Sequence, residues 1–234
     1  MTQHDHTLKE FDVELRTLKD KLLLMAASVE DHLARGMAAL ASRDAAAADA
    51  VADSDGPVNL LEMEVDELCV RLLALRQPAG SDLRFIAASL KIVTDLERMG
   101  DLAVNIAERV AAIARTPQRL PPLDLEPIAG AARAMLQDSL DAFVRGDVPK
   151  AESVLRRDQV IDDLFVEAFR ALMAAMKQDP ATVERALGLM FIAKHFERIA
   201  DHSTNIAEMV IYLVRGKDVR HKFSLGAEEP KGAT

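Results

Sequence analysis

Apolar residues recur at every third or fourth position along most of this chain, the spacing that gathers side chains on one face of an α-helix. The first such stripe predicts a long helix from about residue 7 to residue 42, and its apolar members are Leu8, Phe11, Leu15, Leu18, Leu22, Met25, Val29 and Leu33. A second helix should begin after Asp44, a good N-cap, and reach about residue 75 with an interruption at Gly56-Pro57. The first six or so residues are polar, and we expect them to be loosely ordered.

The rest of the chain predicts four more helices. The third should be capped by Ser81 or Asp82 and continue to about residue 115, and the proline-rich residues 116–123 form a linker. Three further helices follow in the same order as the first three, separated by breaks at Gly146-Asp147 and Asp179-Pro180. They are expected over residues of about 125–144, 147–177 and 181–215.

One motif occurs in both halves of the chain. The segment ERMGDLAVNIAE, residues 97–108, returns as ERIADHSTNIAE at residues 197–208, so equivalent positions are separated by 197 − 97 = 100. The helix caps Asp44 and Asp147 are separated by 147 − 44 = 103, and a second inter-helix turn shorter by three residues would explain the difference. A repeat of this length indicates that a whole structural unit was duplicated.

These patterns predict an all-α protein of two tandem, pseudo-symmetric three-helix bundles. The first bundle would occupy residues 1–116 and the second residues 117–216, with residues 217–234 as a polar, disordered tail. Each half is near the lower end of domain sizes and could bury a core of its own. The composition agrees with a helical protein, because half of the residues are apolar and only 4% are aromatic.

Charge and cysteine content narrow the classes of function. A formal net charge of −9 argues against a nucleic-acid partner, since neutralising phosphates requires a basic face. The single cysteine, Cys69, excludes an intrachain disulfide and fits a reducing cytoplasm. We find no apolar run that resembles a signal peptide or a membrane span, so we expect any membrane association to come through a partner.

The repeated acidic residues are predicted to face away from the core. At about 100° per residue, the apolar residues of the third and sixth helices share one stripe, and Glu97, Asp101, Glu197 and Asp201 fall on the opposite side. The bland interpretation is a solvated helix face, on which the arginine after each glutamate pairs with the aspartate. Against it, carboxylates four residues apart repel each other by ~0.2–0.5 kcal/mol, yet both halves keep them.

Neighbouring antiparallel helices bring more oxygen ligands to the same height. Counting back from the turns places a pair of polar residues on the second helix of each bundle level with the glutamate and aspartate of the third. The two predicted sets are Asp55, Asn59, Glu97 and Asp101 in the first bundle and Asp158, Asp162, Glu197 and Asp201 in the second. Such crowded charges are costly without a cation, and hard oxygen ligands suit Mg, Mn, Ca, Fe or Zn ions. We therefore predict metal sites, with the stronger one in the second bundle because all four of its ligands are acidic.

Two tandem three-helix bundles, each with an ERxxDxxxNIAE-like helix, resemble the PhoU family. The resemblance covers nearly the whole chain, from about Leu8 to Arg215, and it includes DGPVNLLEMEVDELC at residues 55–69 and DQVIDDLF at residues 158–165. It implies a cytoplasmic, dimer-forming negative regulator of phosphate-starvation genes. Such a protein would link the ATPase subunit of a high-affinity phosphate ABC transporter to a membrane sensor histidine kinase and modulate phosphate uptake.

The resemblance also implies multinuclear iron or zinc clusters on the repeated motif, with manganese or magnesium as alternatives. Carried over to this chain, the ligands would be Glu97, Asp101, Glu197 and Asp201, with the four residues of the second helices facing them. The two copies differ at Gly100, where the second has alanine, and at His195, where the first has aspartate. Neither difference removes a proposed ligand.

The rival class of function is a carboxylate-bridged metal enzyme on a helical bundle. No core-facing E-x-x-H, no paired nucleophile and base, and no glycine-rich phosphate loop supports it in the sequence. His195 and His202 lie at the rim of the last helix's core stripe, and we interpret them as packing residues rather than ligands. We expect an adaptor rather than an enzyme, and we expect phosphate itself to be sensed by its partners.

Overall fold

The structure, a computed structural model, describes residues 3–117 and 119–216, and most of these residues are helical. In these described residues, seven α-helices follow one another, with a 3-10 turn at Pro180–Thr182 before the last; they are α1 (Gln3–Ser42), α2 (Ala45–Ala52), α3 (Gly56–Arg76), α4 (Gly80–Ala114), α5 (Glu126–Arg145), α6 (Val148–Gln178) and α7 (Val183–Arg215). No strand occurs in the described residues, so the predicted all-α class is confirmed. The predicted disordered tail, residues 217–234, lies outside them.

Local sequence signals set most helix ends. The Asp44 carboxylate accepts a hydrogen bond from the Ala47 backbone N–H at 3.0 Å, and Asp147 caps α6 in the same way, so both predicted N-caps are confirmed. The predicted interruption is also confirmed, since α3 begins afresh at Gly56 with a proline in its first turn.

Three predictions about local structure are wrong. The first helix begins at Gln3, so the first residues are not all loose. The third helix begins at Gly80 after Ala79, without a side-chain cap from Ser81 or Asp82, because left-handed backbone at Gln77 and Gly80 makes the turn. The starts of α4 and α7 are separated by 183 − 80 = 103 residues, so the three missing residues lie within α7 and not in the turn before it.

The two halves share one core. Helices α1 to α4 pack on one another in the first half and α5 to α7 in the second, and α4 and α7 pack against each other along a long seam. The buried apolar residues of both halves form one continuous cluster, with Phe196 of α7 among its largest fully buried side chains. The two halves therefore meet over a shared apolar interface.

Specific contacts fix the halves relative to each other. The ring of Phe85 on α4 stacks on that of Phe143 on α5, with centroids 5.5 Å apart and planes inclined by 9°. The Arg84 Nε donates to the Leu213 carbonyl at 3.1 Å, which ties the start of α4 to the end of α7. Among the described helices, none combines the length and apolarity that a membrane span requires.

Candidate functional site

The acidic residues predicted in the second half lie together in the groove between α6 and α7. Asp158 and Asp162 are one turn apart on α6, and Glu197 and Asp201 are one turn apart on α7. Asp201 is under the electrostatic influence of the other three carboxylates, and Asp158 under that of Asp162 and Glu197. The structure therefore brings together all four residues of this predicted set.

Burial and mutual repulsion raise the proton affinity of this cluster. Burial, followed by the charges of Glu197 and Asp158, raises the pKa of Asp201 to about 6, although one side of that residue is open to solvent. The pKa of Asp158 is also raised, first by burial and then by Asp162. Both shifts show that the assembled anions cost free energy, which a proton or a bound cation would relieve.

Glu97 and Glu197 do not lie on an outward-facing ridge, although the sequence analysis placed them on one. The side chain of Glu197 is only 13% exposed and that of Glu97 only 18%, because α6 and α3 cover them from the side. Lys194 on the preceding turn pairs with Glu197 at 2.5 Å and also lies 5.3 Å from the ring centre of Phe165. The predicted pairing of Arg198 with Asp201 is not among the ion pairs of the described residues.

The first-half cluster has a different composition. Burial first, and then the charges of Asp101 and Glu62, raise the pKa of Glu97, while Arg98 opposes the shift. Arg98 lies 3.4 Å from the Glu97 carboxylate and 3.5 Å from that of Asp101, so the predicted arginine pairing is confirmed here. Glu62 on α3 is a member that the sequence analysis missed. It lies on the same helix as Asn59, and only the rotation of α3 about its axis turns it toward Glu97.

The other two predicted ligands of the first half, Asp55 and Asn59, bond to each other. The Asn59 Nδ2 donates to Asp55 Oδ2 at 2.7 Å, whereas the second oxygen, Oδ1, is buried without a hydrogen-bond partner. Asp55 abuts Gly100 of α4, where an added Cβ would come within 3.0 Å of Val58. Because residue 100 is a glycine, α3 can approach α4 closely, and Asp55 therefore lies near the repeated motif.

A buried histidine lies behind Asp55. His32 on α1 is 5% exposed, its Nε2 is 3.0 Å from the Ser54 hydroxyl, and its Nδ1 is buried without a partner. Burial lowers the pKa of His32, and the nearby charge of Asp55 opposes this shift. At the equivalent position of the second half, 32 + 103 = 135, the residue is Met135, so the two clusters differ in what lies beneath them.

The oxygen donors of these clusters suit a hard cation, but their side chains are not arranged around a common point. Every proposed ligand offers oxygen, and burial first, followed by the charges of neighbouring carboxylates, raises the pKa values of Glu97 and Asp201. Among residues 3–117 and 119–216, however, no three Asp, Glu, His or Cys side chains converge into a ready coordination shell. Binding an ion would therefore require the carboxylate side chains to rotate toward one another.

The raised pKa of Asp201 gives a prediction for metal-free protein. Because its folded pKa, about 6, exceeds its ordinary value of 3.8, the ionised carboxylate destabilises the fold. This penalty is absent below about pH 4, grows as the pH rises and is complete above about pH 7. We expect Asp201→Asn to raise the free energy of unfolding by about 1 kcal/mol near pH 8, a figure reduced for solvent screening, and to change nothing near pH 4.

Urea denaturation in a chelator at the two pH values measures this difference. Asp163→Asn is the matched control, because Asp163 is an exposed acid on α6 that contributes nothing to the shift at Asp201. An equal gain from Asp201→Asn at both pH values would contradict the predicted coupling.

His202 does more than pack. Its Nδ1 lies 2.8 Å from a carboxylate oxygen of Asp95 on α4, and the Asn205 Nδ2 donates to the same oxygen at 3.0 Å. These contacts cross the seam between α4 and α7, so the interpretation of His202 as a packing residue is wrong. The sequence offers no signal for the pair, because its members are 202 − 95 = 107 residues apart.

Comparison with known proteins gives one consistent family. The sequence model of the PhoU domain matches residues 22–110 and again residues 125–210, which are the two repeats. A phosphate-specific transport system accessory protein PhoU homolog from Pseudomonas putida is 41% identical over 219 residues, covering 92% of this chain and 85% of that protein. The phosphate-specific transport system accessory protein PhoU of Escherichia coli K12 is 36% identical over 218 residues, covering 92% and 90%.

Solved structures agree. The crystal structure of PhoU from Pseudomonas aeruginosa superposes with a TM-score of 0.84 at 39% identity, covering 88% of this chain and all of that one. The phosphate transport system regulatory protein PhoU from Streptococcus pneumoniae superposes with a TM-score of 0.83 at 32% identity, covering 89% and 99%. The family model, the superposed structures and the repeated motif thus all indicate the PhoU family.

Proposed function

This chain belongs to the PhoU family, and from that premise we propose that it is a negative regulator of the phosphate-starvation response. It would act as a metal-binding cytoplasmic adaptor between a high-affinity phosphate ABC transporter and its sensor histidine kinase, and it would modulate phosphate uptake. The observation that carries this proposal is the match of the family model to both repeats, together with relatives named as accessory proteins of phosphate-specific transport systems.

The proteins matched by this chain are accessory and regulatory proteins rather than enzymes. The non-enzymatic prediction is thereby confirmed, and the rival carboxylate-bridged metal enzyme is not proposed again. A protein of this kind works by contact, so its surface has to carry docking faces.

Exposed apolar side chains support the adaptor role. On α3, Leu60 and Met63 are more than half exposed, and on α6 the side chains of Val166, Phe169 and Met173 are partly exposed to solvent. Apolar residues that recur on an outward helix face are typical of protein contact surfaces. We propose that such faces serve the ATPase subunit, the kinase and a second copy of this chain in a homodimer.

Metal binding is part of the proposal. The ligands would be Asp158, Asp162, Glu197 and Asp201 in the second half, with the raised pKa values as the supporting observation. In the first half they would be the predicted Asp55, Asn59, Glu97 and Asp101, joined by Glu62. Iron or zinc, or else manganese or magnesium, would neutralise the crowded charges and hold the two helices of each groove together.

A deletion strain tests the regulatory role. With the gene removed, we expect phosphate-starvation genes to be expressed in phosphate-rich medium at close to their starvation level, because the link that silences the kinase is lost. Reporter expression in both media measures this. Complementation with the parent gene should restore repression, and the same gene with a stop codon is the control.

A pull-down in phosphate-rich medium identifies the partners directly. Recovery of the transporter ATPase or the sensor kinase would support the adaptor role. The partner should no longer be recovered when Leu60 and Met63, the exposed apolar residues of α3, are changed to serine. Full repression in the deletion strain, combined with no recovered transporter or kinase, would reject it.

A further inference from the structure

A cavity of about 250 Å³ lies between the last turns of α4 and the first turns of α7. Most of its wall is apolar and is formed by side chains that include Ala112, Ile113, Leu187 and Phe191. Two arginines, Arg109 of α4 and Arg185 of α7, also line it, and no member of either acidic cluster does. A concave, mostly apolar wall with a few charged groups is the usual form of a small-molecule site.

Arg185 is a buried cation with few partners. The residue is only 8% exposed, yet it takes part in no ion pair within residues 3–117 and 119–216. Of its N–H donors, only Nε forms a hydrogen bond there, to the Arg119 carbonyl at 3.1 Å. Buried charges are normally paired, because an unpaired one loses its hydration without compensation. Arg185 also lines a second cavity, of about 600 Å³, so the two cavities meet at this side chain.

The first half has an apolar residue where the second has this arginine. Both α4 and α7 run unbroken into the repeated motif, so its spacing applies here too, and 185 − 100 = 85. The equivalent residue is Phe85, whose ring stacks on that of Phe143. The shared helix packing therefore does not require a cation at position 185. Ala112 is equivalent to the much larger Tyr212, so the alanine leaves room beside Arg185.

An aromatic ring holds the second cation of the cavity. The Arg109 guanidinium lies over the ring of Phe191, with its central carbon 5.1 Å from the ring centre. Arg109 is exposed and forms no ion pair among the described residues, so the N–H edge of its guanidinium is available. The lining contains one acid, the exposed Glu184, which pairs with neither arginine. The cavity is therefore a cationic place in a chain whose net charge is −9.

We propose that this cavity binds a small amphipathic anion, an apolar molecule that ends in a carboxylate or a phosphate ester. The anionic head accepts hydrogen bonds from Arg185 and Arg109, because guanidinium groups offer paired N–H donors that match two oxygens. The apolar part lies along Phe191 and Leu187, which are 48% and 41% exposed and become covered by the ligand.

The proposed site links the two halves of the chain. It takes one arginine from α4 and one from α7, so a bound anion connects these helices near the end of the seam. The two residues are 185 − 109 = 76 positions apart, and for this reason no motif in the sequence indicates them. The site goes beyond the adaptor function and does not rest on it.

Isothermal titration of metal-free, chelator-treated protein with hexanoate tests the site. The chelator ensures that the carboxylate cannot bind through a metal in the acidic clusters, and sodium chloride holds the ionic strength constant. We expect saturable binding of hexanoate and of hexyl phosphate, and none of hexylamine, which has the same chain and the opposite charge. Tighter binding of hexanoate assigns the site to carboxylates, and tighter binding of hexyl phosphate assigns it to phosphate esters.

Three substitutions test the lining. Arg109→Gln removes an exposed charged donor and should weaken hexanoate binding by about tenfold or more. Leu187→Asp places a negative charge in the apolar wall and should abolish binding. Arg185→Phe, which copies the residue at position 85, should also abolish binding. Its melting temperature should stay at or above that of the parent, since replacing an unpaired buried charge with an apolar residue is neutral or stabilising.

Arg170→Gln is the matched control. It removes one positive charge from an exposed residue of α6 that lines neither cavity, and its affinity for hexanoate should equal that of the parent. Arg109 and Leu187 are exposed, so circular dichroism should show unchanged folding in their variants, and these two decide the outcome even if Arg185→Phe does not fold. The proposal is overturned by no saturable binding in the parent, by equal binding of hexylamine, or by parent affinity in either variant.

Discussion

Phe196→Ala is expected to lower the free energy of unfolding by about 3–5 kcal/mol, the largest effect of any substitution considered for this protein. Phe196 is fully buried and lies in the continuous core that the two halves share. Removing its ring takes away apolar contacts and leaves a cavity that rigid helices on several sides can only partly fill. Domains are stable by about 5–15 kcal/mol, so this loss is a large share of the total.

Urea denaturation followed by circular dichroism measures the loss. Phe169→Ala is the matched control, because Phe169 is 42% exposed on α6 and should cost much less, on the order of 1 kcal/mol. Since Glu197 follows Phe196 directly, the variant should also weaken any property that depends on the acidic groove. Equal losses from the two substitutions would mean that Phe196 does not lie in a packed core.

An excess of Zn²⁺ or Mn²⁺, or of Fe²⁺ under anaerobic conditions, is expected to raise the melting temperature of the parent protein. A ligand that binds only the folded state at 100 times its dissociation constant adds about 2.7 kcal/mol, or about 5–10 °C for a chain of this size. The gain should shrink sharply in Asp201→Ala and in Asp162→Ala, since each removes a carboxylate from the α6–α7 groove. It should also shrink toward acid pH, because protons compete for Asp201, whose pKa is about 6, and for Asp158.

Asp163→Ala is the control for this experiment. It is adjacent to Asp162 and is also an aspartate, but its carboxylate accepts a hydrogen bond from Gln159 and has no part in the cluster. It should therefore keep the full metal-induced shift. If Asp201→Ala, Asp162→Ala and Asp163→Ala all keep the shift of the parent, the α6–α7 groove is ordinary acidic surface. Glu97→Ala then tests the first cluster, and if that variant also keeps the shift, the metal-binding part of the proposal fails.

The sequence by itself determined the helices, most of their ends and the duplication. These features are local, because a stripe of apolar residues at every third or fourth position and an aspartate before a helix act over a few residues. The same reasoning placed Asp158, Asp162, Glu197 and Asp201 at one height. Two antiparallel helices joined by a short turn have little freedom along their axes, so counting from the turn was sufficient.

Only the tertiary structure decided how the helices are rotated and what lies between the halves. The rotation of α3 about its axis turns Glu62 toward Glu97. Glu97 and Glu197, which the sequence placed on an outward ridge, lie instead in two grooves because α3 and α6 cover them. The pair of Asp95 with His202 depends on contact between α4 and α7. That contact joins residues about a hundred positions apart, and no periodicity within one helix specifies it, because it results from the shared core that both halves bury together.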